Sequence, residues 1–156
     1  MNIQTRVVNA LIEQGYHISL AESCTGGLTA AAIVSVADAS RVLDISFVTY
    51  ANEAKMRYLG VCRETIEKYG VVSEQVAYEM AKGVAKEAGS EVGIGITGIA
   101  GPGGGTATKP VGMVCFGISL NGTVKTYTKQ FGAIGRNEVR NASVDFVLNE
   151  LYELLI

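Results

Sequence analysis

Apolar residues recur along this chain with two periods, 3.6 and 2, and each change of period marks an element boundary. In "IQTRVVNALIEQ" (3–14), Ile3, Val7, Ala10 and Leu11 share one helical face, and Gly15 supplies the stop. "YHISLAES" (16–23) reads as a short strand, running directly into "CTGGLTAAAIVSVA" (24–37), whose alanines and apolar residues predict a buried helix. "ISFVTYA" (45–51) is β-branched and aromatic, a second strand. "NEAKMRYLG" (52–60) follows as a short helix, with Asn52 as N-cap and Gly60 as its stop. Residues 63–70 form another short helical piece. Ser73 caps a helix over 73–89 whose face carries Val76, Met80 and Val84, and Gly89 ends it. "EVGIGIT" (91–97) predicts a buried strand. "VGMVCFGISL" and "TVKTYTKQF" form a hairpin across Asn121-Gly122, a pair suited to a type I′ turn. The last helix covers 136–155, with Val144, Val147, Leu148, Leu151 and Leu155 in one stripe.

Helices interleaved with strands, plus one hairpin, predict an α/β fold in one domain over residues 1–156. The expected form is a three-layer α/β/α sandwich with a mixed, mostly parallel sheet. Such sheets bind ligands beyond the carboxyl ends of their strands. Here those ends are Glu22-Ser23, Tyr50-Ala51 and Thr97-Gly98.

Composition narrows the partners more than the fold. At 48% apolar and 18% charged, the 156 residues suit a compact core. A net charge of -2 argues against nucleic acid as a partner. No apolar run approaches the ~20 residues of a membrane span, and the first 20 residues lack a signal-peptide core. The expected location is therefore the cytoplasm. Cys24, Cys62 and Cys115 lack C-x-x-C or zinc spacing and read as small apolar fillers in a reducing compartment. His17, the single histidine, precedes an apolar strand and reads as structural. With no His/Cys/Asp cluster at metal-ligand spacing, the expected site uses neither metal nor cofactor.

The candidate chemistry lies at strand ends. "GIGITGIAGPGGGTATKPVG" (93–112) contains a G-x-G-x-x-G match, but Gly93 and Gly95 alternate within the strand and no helix follows, as a dinucleotide cradle requires. The Walker pattern is absent too, since Lys109 is followed by Pro110. What survives is a strand-end loop whose backbone N–H groups could form an anion nest. "AESCTGG" (21–27) is a better junction: Ser23 and Thr25 are candidate caps, and Gly26-Gly27 allow close approach of a phosphate or oxyanion. In "TYANEAK" (49–55), Lys55 would sit in the first helical turn, where the helix field and desolvation lower a lysine pKa and make it a general base. Tyr50 could relay a proton beside it, and Ser40, in "DASRVLD", is a candidate nucleophile. Ser/Lys/Tyr sites run acyl transfer without histidine or metal. Arg136 and Arg140, one helical turn apart, can grip a phosphate or equally serve as surface solubilisers.

In this order, "AESCTGG", "DAS…FVTYANEAK", "GVVSE", "TGIAGPGGGTATKPVG" and "GR…VR" resemble the C-terminal domain of the competence/damage-inducible CinA family, from about residue 4 to 155. Stand-alone members of that family are nicotinamide-nucleotide amidohydrolases. The resemblance implies hydrolysis of the carboxamide of nicotinamide mononucleotide to nicotinate mononucleotide and ammonia, in a cytoplasmic homo-oligomer, dimer or larger. It implies a small-molecule nucleotide partner, and neither nucleic acid nor membrane. The family's serine/tyrosine/lysine set falls on Ser40, Tyr50 and Lys55, with Ser23 as the alternative nucleophile. Substrate-binding positions fall on Ser23, Thr25, Gly26, Thr97, Gly98, Arg136 and Arg140. Two departures stand out. Asp38 replaces a usual glycine, and Ser46-Phe47 replaces a frequent Gly-Gly pair. A carboxylate near the nucleophile would repel a phosphate or raise the pKa of Lys55. The alternatives are a non-catalytic nucleotide-binding domain, since the full-length family joins this domain to another, or an amidase for another small amide. Whether Lys109 reaches the pocket stays open at this level.

Overall fold

The computed structural model describes all 156 residues, Met1–Ile156. Five strands form one sheet: β1 (Ile18–Glu22), β2 (Leu43–Val48), β3 (Val92–Gly98), β4 (Met113–Leu120) and β5 (Thr123–Gln130), in the order β2-β1-β3-β4-β5. β1 pairs in parallel with β2 and β3, whereas the β3/β4 and β4/β5 ladders are antiparallel. The expected mixed sheet is present, and β4 alone runs against the other strands.

Alternation along the strands sends two different surfaces to the two faces of the sheet. Ile18 and Leu20, Val92, Ile94 and Ile96, and Val114, Phe116 and Ile118 point into the larger core. There α1 (Ile3–Gln14), α2 (Leu28–Val34) and α6 (Arg136–Leu155) cover them with Val7, Leu11, Ile33, Val147, Leu148 and Leu151. On the opposite face lie α3 (Asn52–Leu59), α4 (Arg63–Tyr69) and α5 (Glu74–Ala88), completing three layers. The positions facing α5 include Gly93, Gly95 and Gly117, with Gly95 directly opposite Gly117 across the ladder. A Cβ on Gly95 would stand 2.6 Å from the Ala77 carbonyl oxygen, and one on Gly117 2.4 Å from the same atom. The G-x-G spacing of β3 is therefore a floor on which α5 rests at backbone distance.

Several local expectations hold. Ser73 Oγ accepts from the Val76 amide at the start of α5, and Asn121 (φ 49°) and Gly122 (φ 86°) make the type I′ turn. Others are corrected. Residues 24–27 form a turn rather than helix, and α2 starts only at Leu28. The N-cap of α3 is Ala51, not Asn52, so Lys55 is its fourth residue. Cys62 is exposed, unlike Cys24 and Cys115.

His17 does prove structural: its Nδ1 lies 2.7 Å from Asp44 Oδ1, and its amide donates to Glu91 at 2.7 Å. That cluster ties β1 to β2 at the sheet end opposite the one where β1 and β3 finish.

Asp38 also lies at that far end, just before the 3₁₀ turn Ala39–Arg41, with φ at +70°. Its carboxylate therefore does not face Lys55, against the expectation raised by the sequence. The positive φ accounts for glycine being the easier residue there. Asp38→Gly is expected to stabilise the fold by about 0.5 kcal/mol, strain relief being partly offset by extra unfolded-state freedom. Thermal unfolding should record a rise of about 1–2 °C.

Candidate functional site

β1 and β3 end side by side, and β2 leads away from the same edge. There the chain leaves a cavity of about 420 Å³, within the usual range for small-ligand sites. Ser23, Lys55 and Thr97 line its floor, Tyr50 and Arg136 one side of its mouth, and the glycine-rich loop from Gly98 the other.

Ser23 follows β1, its amide bonded to the Ile96 carbonyl of β3 at 3.1 Å, which fixes it on the sheet edge. Lys55 reaches it from α3. The lysine is 1% exposed, and its Nζ lies 3.1 Å from Ser23 Oγ, 2.7 Å from the Thr49 carbonyl oxygen and 3.2 Å from that of Tyr50. Lys55 forms no ion pair. Burial holds its pKa below the usual lysine range, with the neighbouring Cys24 acting in the opposite sense. Nζ donates to three oxygens, the two carbonyls and Ser23 Oγ, so the proton it loses on neutralising can leave a lone pair facing the serine hydroxyl. Burial also pushes the Cys24 thiol up to about 11, so Cys24 stays protonated beside the serine.

Ser40 is not brought to this site. It lies exposed in the 3₁₀ turn before β2, whereas Tyr50 and Lys55 come after that strand. Six strand residues put the two ends about 20 Å apart. The serine in contact with the lysine is Ser23, the alternative that the sequence offered. The proton-relay expectation for Tyr50 also changes. Its backbone carbonyl, not its phenol, meets Lys55, while the phenol oxygen accepts from Arg136 Nη2 at 2.9 Å. Arg136 Nη1 donates to the Gly101 carbonyl at 2.8 Å and so bridges Tyr50 to the glycine loop.

The remaining candidates separate into lining and scaffold. Thr97 and Gly98 line the cavity, but Thr97 Oγ1 donates to the Val71 carbonyl at 2.9 Å, holding the wall before α5. Thr25 Oγ1 is buried without a partner, outside the lining. Arg140 also lies outside the lining, its guanidinium bonded to the carbonyls of Cys24 and Thr25 at 3.0 and 3.1 Å. Gly26 is αL and faces Arg140, since a Cβ there would be 3.3 Å from Nη2. Lys109 does reach the cavity rim, where its Nζ bonds the Tyr69 carbonyl at the end of α4.

The α2 N-terminus, read from the sequence as an anion site capped by Ser23 or Thr25, is already filled. The wholly buried Glu22 accepts from the Thr29 amide at 2.9 Å and the Ala30 amide at 3.1 Å. A carboxylate at the end of the apolar strand "ISLAE" was the overlooked signal. The free donors lie elsewhere: the amides of Cys24, Thr25, Ala100, Gly101, Gly103 and Gly104 donate to no protein atom. No three His, Cys, Asp or Glu side chains converge to hold a metal ion.

Residues 1–155 match the CinA C-terminal domain. A CinA-like protein from Kosmotoga olearia is 48% identical over 155 residues, 99% of this chain but 37% of that protein. The chain thus spans little more than a third of the length of such curated relatives. The crystal structure of the competence/damage inducible protein CihA from Agrobacterium tumefaciens aligns with a TM-score of 0.95 at 43% identity, covering 97% of this chain and 93% of that one. A CinA superfamily protein from Klebsiella pneumoniae 700603 aligns with a TM-score of 0.94 at 38% identity, covering 98% and 95%. No helix of this chain is long and apolar enough to cross a membrane.

Proposed function

The chain belongs to the CinA C-terminal domain family, and on that premise we propose that the cavity is an amidase site acting on nicotinamide mononucleotide. The observation that carries this reading is the buried contact of Lys55 Nζ with Ser23 Oγ. A buried lysine whose pKa burial lowers, in direct contact with a serine hydroxyl, is a base beside its nucleophile.

Lys55 takes the Ser23 proton as Oγ attacks the carboxamide carbon. The carbonyl oxygen becomes an oxyanion and is held by the free amide of Cys24, next to the nucleophile. Collapse of the adduct breaks the C–N bond, and the Lys55 ammonium returns its proton to the departing nitrogen, which leaves as ammonia. Water, deprotonated by Lys55, then attacks the Ser23 ester and frees the nicotinate product and the serine. Tyr50 forms a wall at the mouth, its phenol fixed by Arg136.

A nucleotide is favoured over a bare amide by the far half of the cavity. The free amides of the glycine loop and the cations of Arg136 and Lys109 face the same space, a combination suited to a phosphate. Incubation with nicotinamide mononucleotide should release ammonia and nicotinate mononucleotide in equal amounts. Nicotinamide riboside, lacking the phosphate, should turn over with a KM raised by about 10-fold or more, the value of one charged contact. Thermal stabilisation by the nucleotide without ammonia release would instead mark a non-catalytic binding domain. Equal handling of riboside and nucleotide would point to an amidase for another small amide.

A further inference from the structure

Arg140 lies 116 residues from the nucleophile turn in sequence, yet makes three side-chain bonds, and two of them go to that turn. Its Nε donates to the Cys24 carbonyl and its Nη2 to the Thr25 carbonyl, while Nη1 is held by Asn137 Oδ1 at 3.0 Å. The third carbonyl of the turn, that of Ser23, accepts from the Gly26 amide at 3.0 Å. Three successive carbonyls are thus engaged, and the Cys24, Thr25 and Gly27 amides remain as donors without a protein acceptor, of which only Cys24 lines the cavity.

A trans peptide carries its N–H opposite its carbonyl. Drawing the Thr25 carbonyl onto α6 therefore turns the Gly26 N–H the other way, onto the Ser23 carbonyl, whose own peptide carries the Cys24 N–H. A cation bonded to a peptide oxygen also polarises the whole amide, making its N–H a stronger donor. The Arg140 fork is rigid and bidentate, so it sets the orientation of two consecutive peptide planes at once. Gly26 fits this arrangement, because a side chain there would crowd the guanidinium.

We infer that Arg140 is a positioning residue for the oxyanion site: it holds the turn after Ser23 from behind, so that the free amide of Cys24, which lines the cavity, meets the developing negative charge. It does not touch the substrate, in contrast to the role expected from the sequence. The inference rests on the proposed serine nucleophile, and it places the Cys24 donor under control from α6 in series: Arg140 holds the Thr25 carbonyl, and the Gly26 amide of that peptide holds the Ser23 carbonyl, whose peptide carries the Cys24 N–H.

The test compares Arg140→Gln and Arg140→Lys with the wild-type protein in two assays. The first is ammonia release from nicotinamide mononucleotide and from nicotinamide riboside; the second is the rate at which a fluorophosphonate labels Ser23. Loss of an oriented oxyanion donor lowers kcat by about 10²-fold. Arg140→Gln is therefore expected to lower kcat to that extent on both substrates, with KM changed by less than about 3-fold and labelling slowed in parallel. Arg140→Lys, which can still donate to one carbonyl, should recover part of both rates. A loss seen only in KM, or only with the phosphate-bearing substrate, would make Arg140 a substrate ligand and overturn the inference. So would rates equal to wild type in a folded variant. If Arg140→Gln does not fold, the Arg140→Lys comparison on the two substrates decides. If the wild-type protein hydrolyses neither amide yet labels at Ser23, the proposed substrate fails while the labelling rates still judge Arg140.

Discussion

Ser23→Ala and Lys55→Ala are each expected to lower ammonia release by about 10³-fold or more, the scale on which removing a nucleophile or its base acts. Ser40→Ala should stay within about 2-fold of wild type, as a surface change remote from the site. The contrast follows from position alone. Ser23 Oγ touches the buried amine, whereas Ser40 sits exposed at the other end of β2. Lys55→Arg adds a sharper control: a guanidinium stays protonated, so it cannot serve as base. It should be as inactive as Lys55→Ala while still allowing nucleotide binding. Undiminished turnover in Ser23→Ala, with loss in Ser40→Ala, would reverse the assignment.

The pH dependence has a defined direction. Burial favours the neutral amine and lowers the Lys55 pKa, so the active form appears at lower pH than for a free lysine. The ratio kcat/KM should therefore rise with pH and level off, with its midpoint below the ordinary value of about 10.4. This limb should be missing from the residual activity of Lys55→Ala. A midpoint at or above the ordinary value would show that the amine is not desolvated in the working enzyme.

Local pattern carried most of the elements in this chain but less of the site, and the reason is sequence distance. Caps and turns are local, so Ser73, the Asn121-Gly122 turn and the stripe of α6 could be read directly. The contact between Lys55 and Ser23 spans 32 positions and exists only because β1 and β2 are neighbours in the sheet. A serine before β2 and a serine after β1 look equally near a lysine after β2 until strand direction is known. Parallel pairing sends the start of β2 to one end and the end of β1 to the other, which separates Ser40 from Lys55. Arg136 and Arg140 show the same limit. One helical turn apart, they look like a matched pair, yet Arg136 faces Tyr50 at the mouth while Arg140 grips the turn behind. The buried Glu22 filled the one helix start that had looked free for a ligand.

Gly95→Ala should be among the most destabilising single-methyl changes in the chain. Gly95 faces α5, and an added Cβ would meet the Ala77 carbonyl oxygen at 2.6 Å, the Ala81 amide nitrogen at 2.7 Å and Met80 Cβ at 2.7 Å. None of these is the free end of a flexible side chain, so relief requires α5 to lift from the sheet. Overpacking of this kind costs about 2–3 kcal/mol, and for a chain of this length thermal unfolding should fall by about 4–12 °C. Gly103→Ala is the matched control, because nothing lies within 4 Å of its Cβ position, and it should remain within about 0.5 kcal/mol of wild type. The effect should also reach the cavity. Thr97, two residues beyond Gly95 on the same face, holds the Val71 carbonyl just before α5. Lifting that helix pulls on this bond and on the cavity wall at Val71 and Val72. Gly95→Ala should therefore raise KM for the nucleotide in the protein that remains folded, with Ser23 labelling by a fluorophosphonate largely preserved. An unchanged melting temperature would mean that the helix can shift on its glycine floor without loss, and that the G-x-G spacing of β3 is not set by packing.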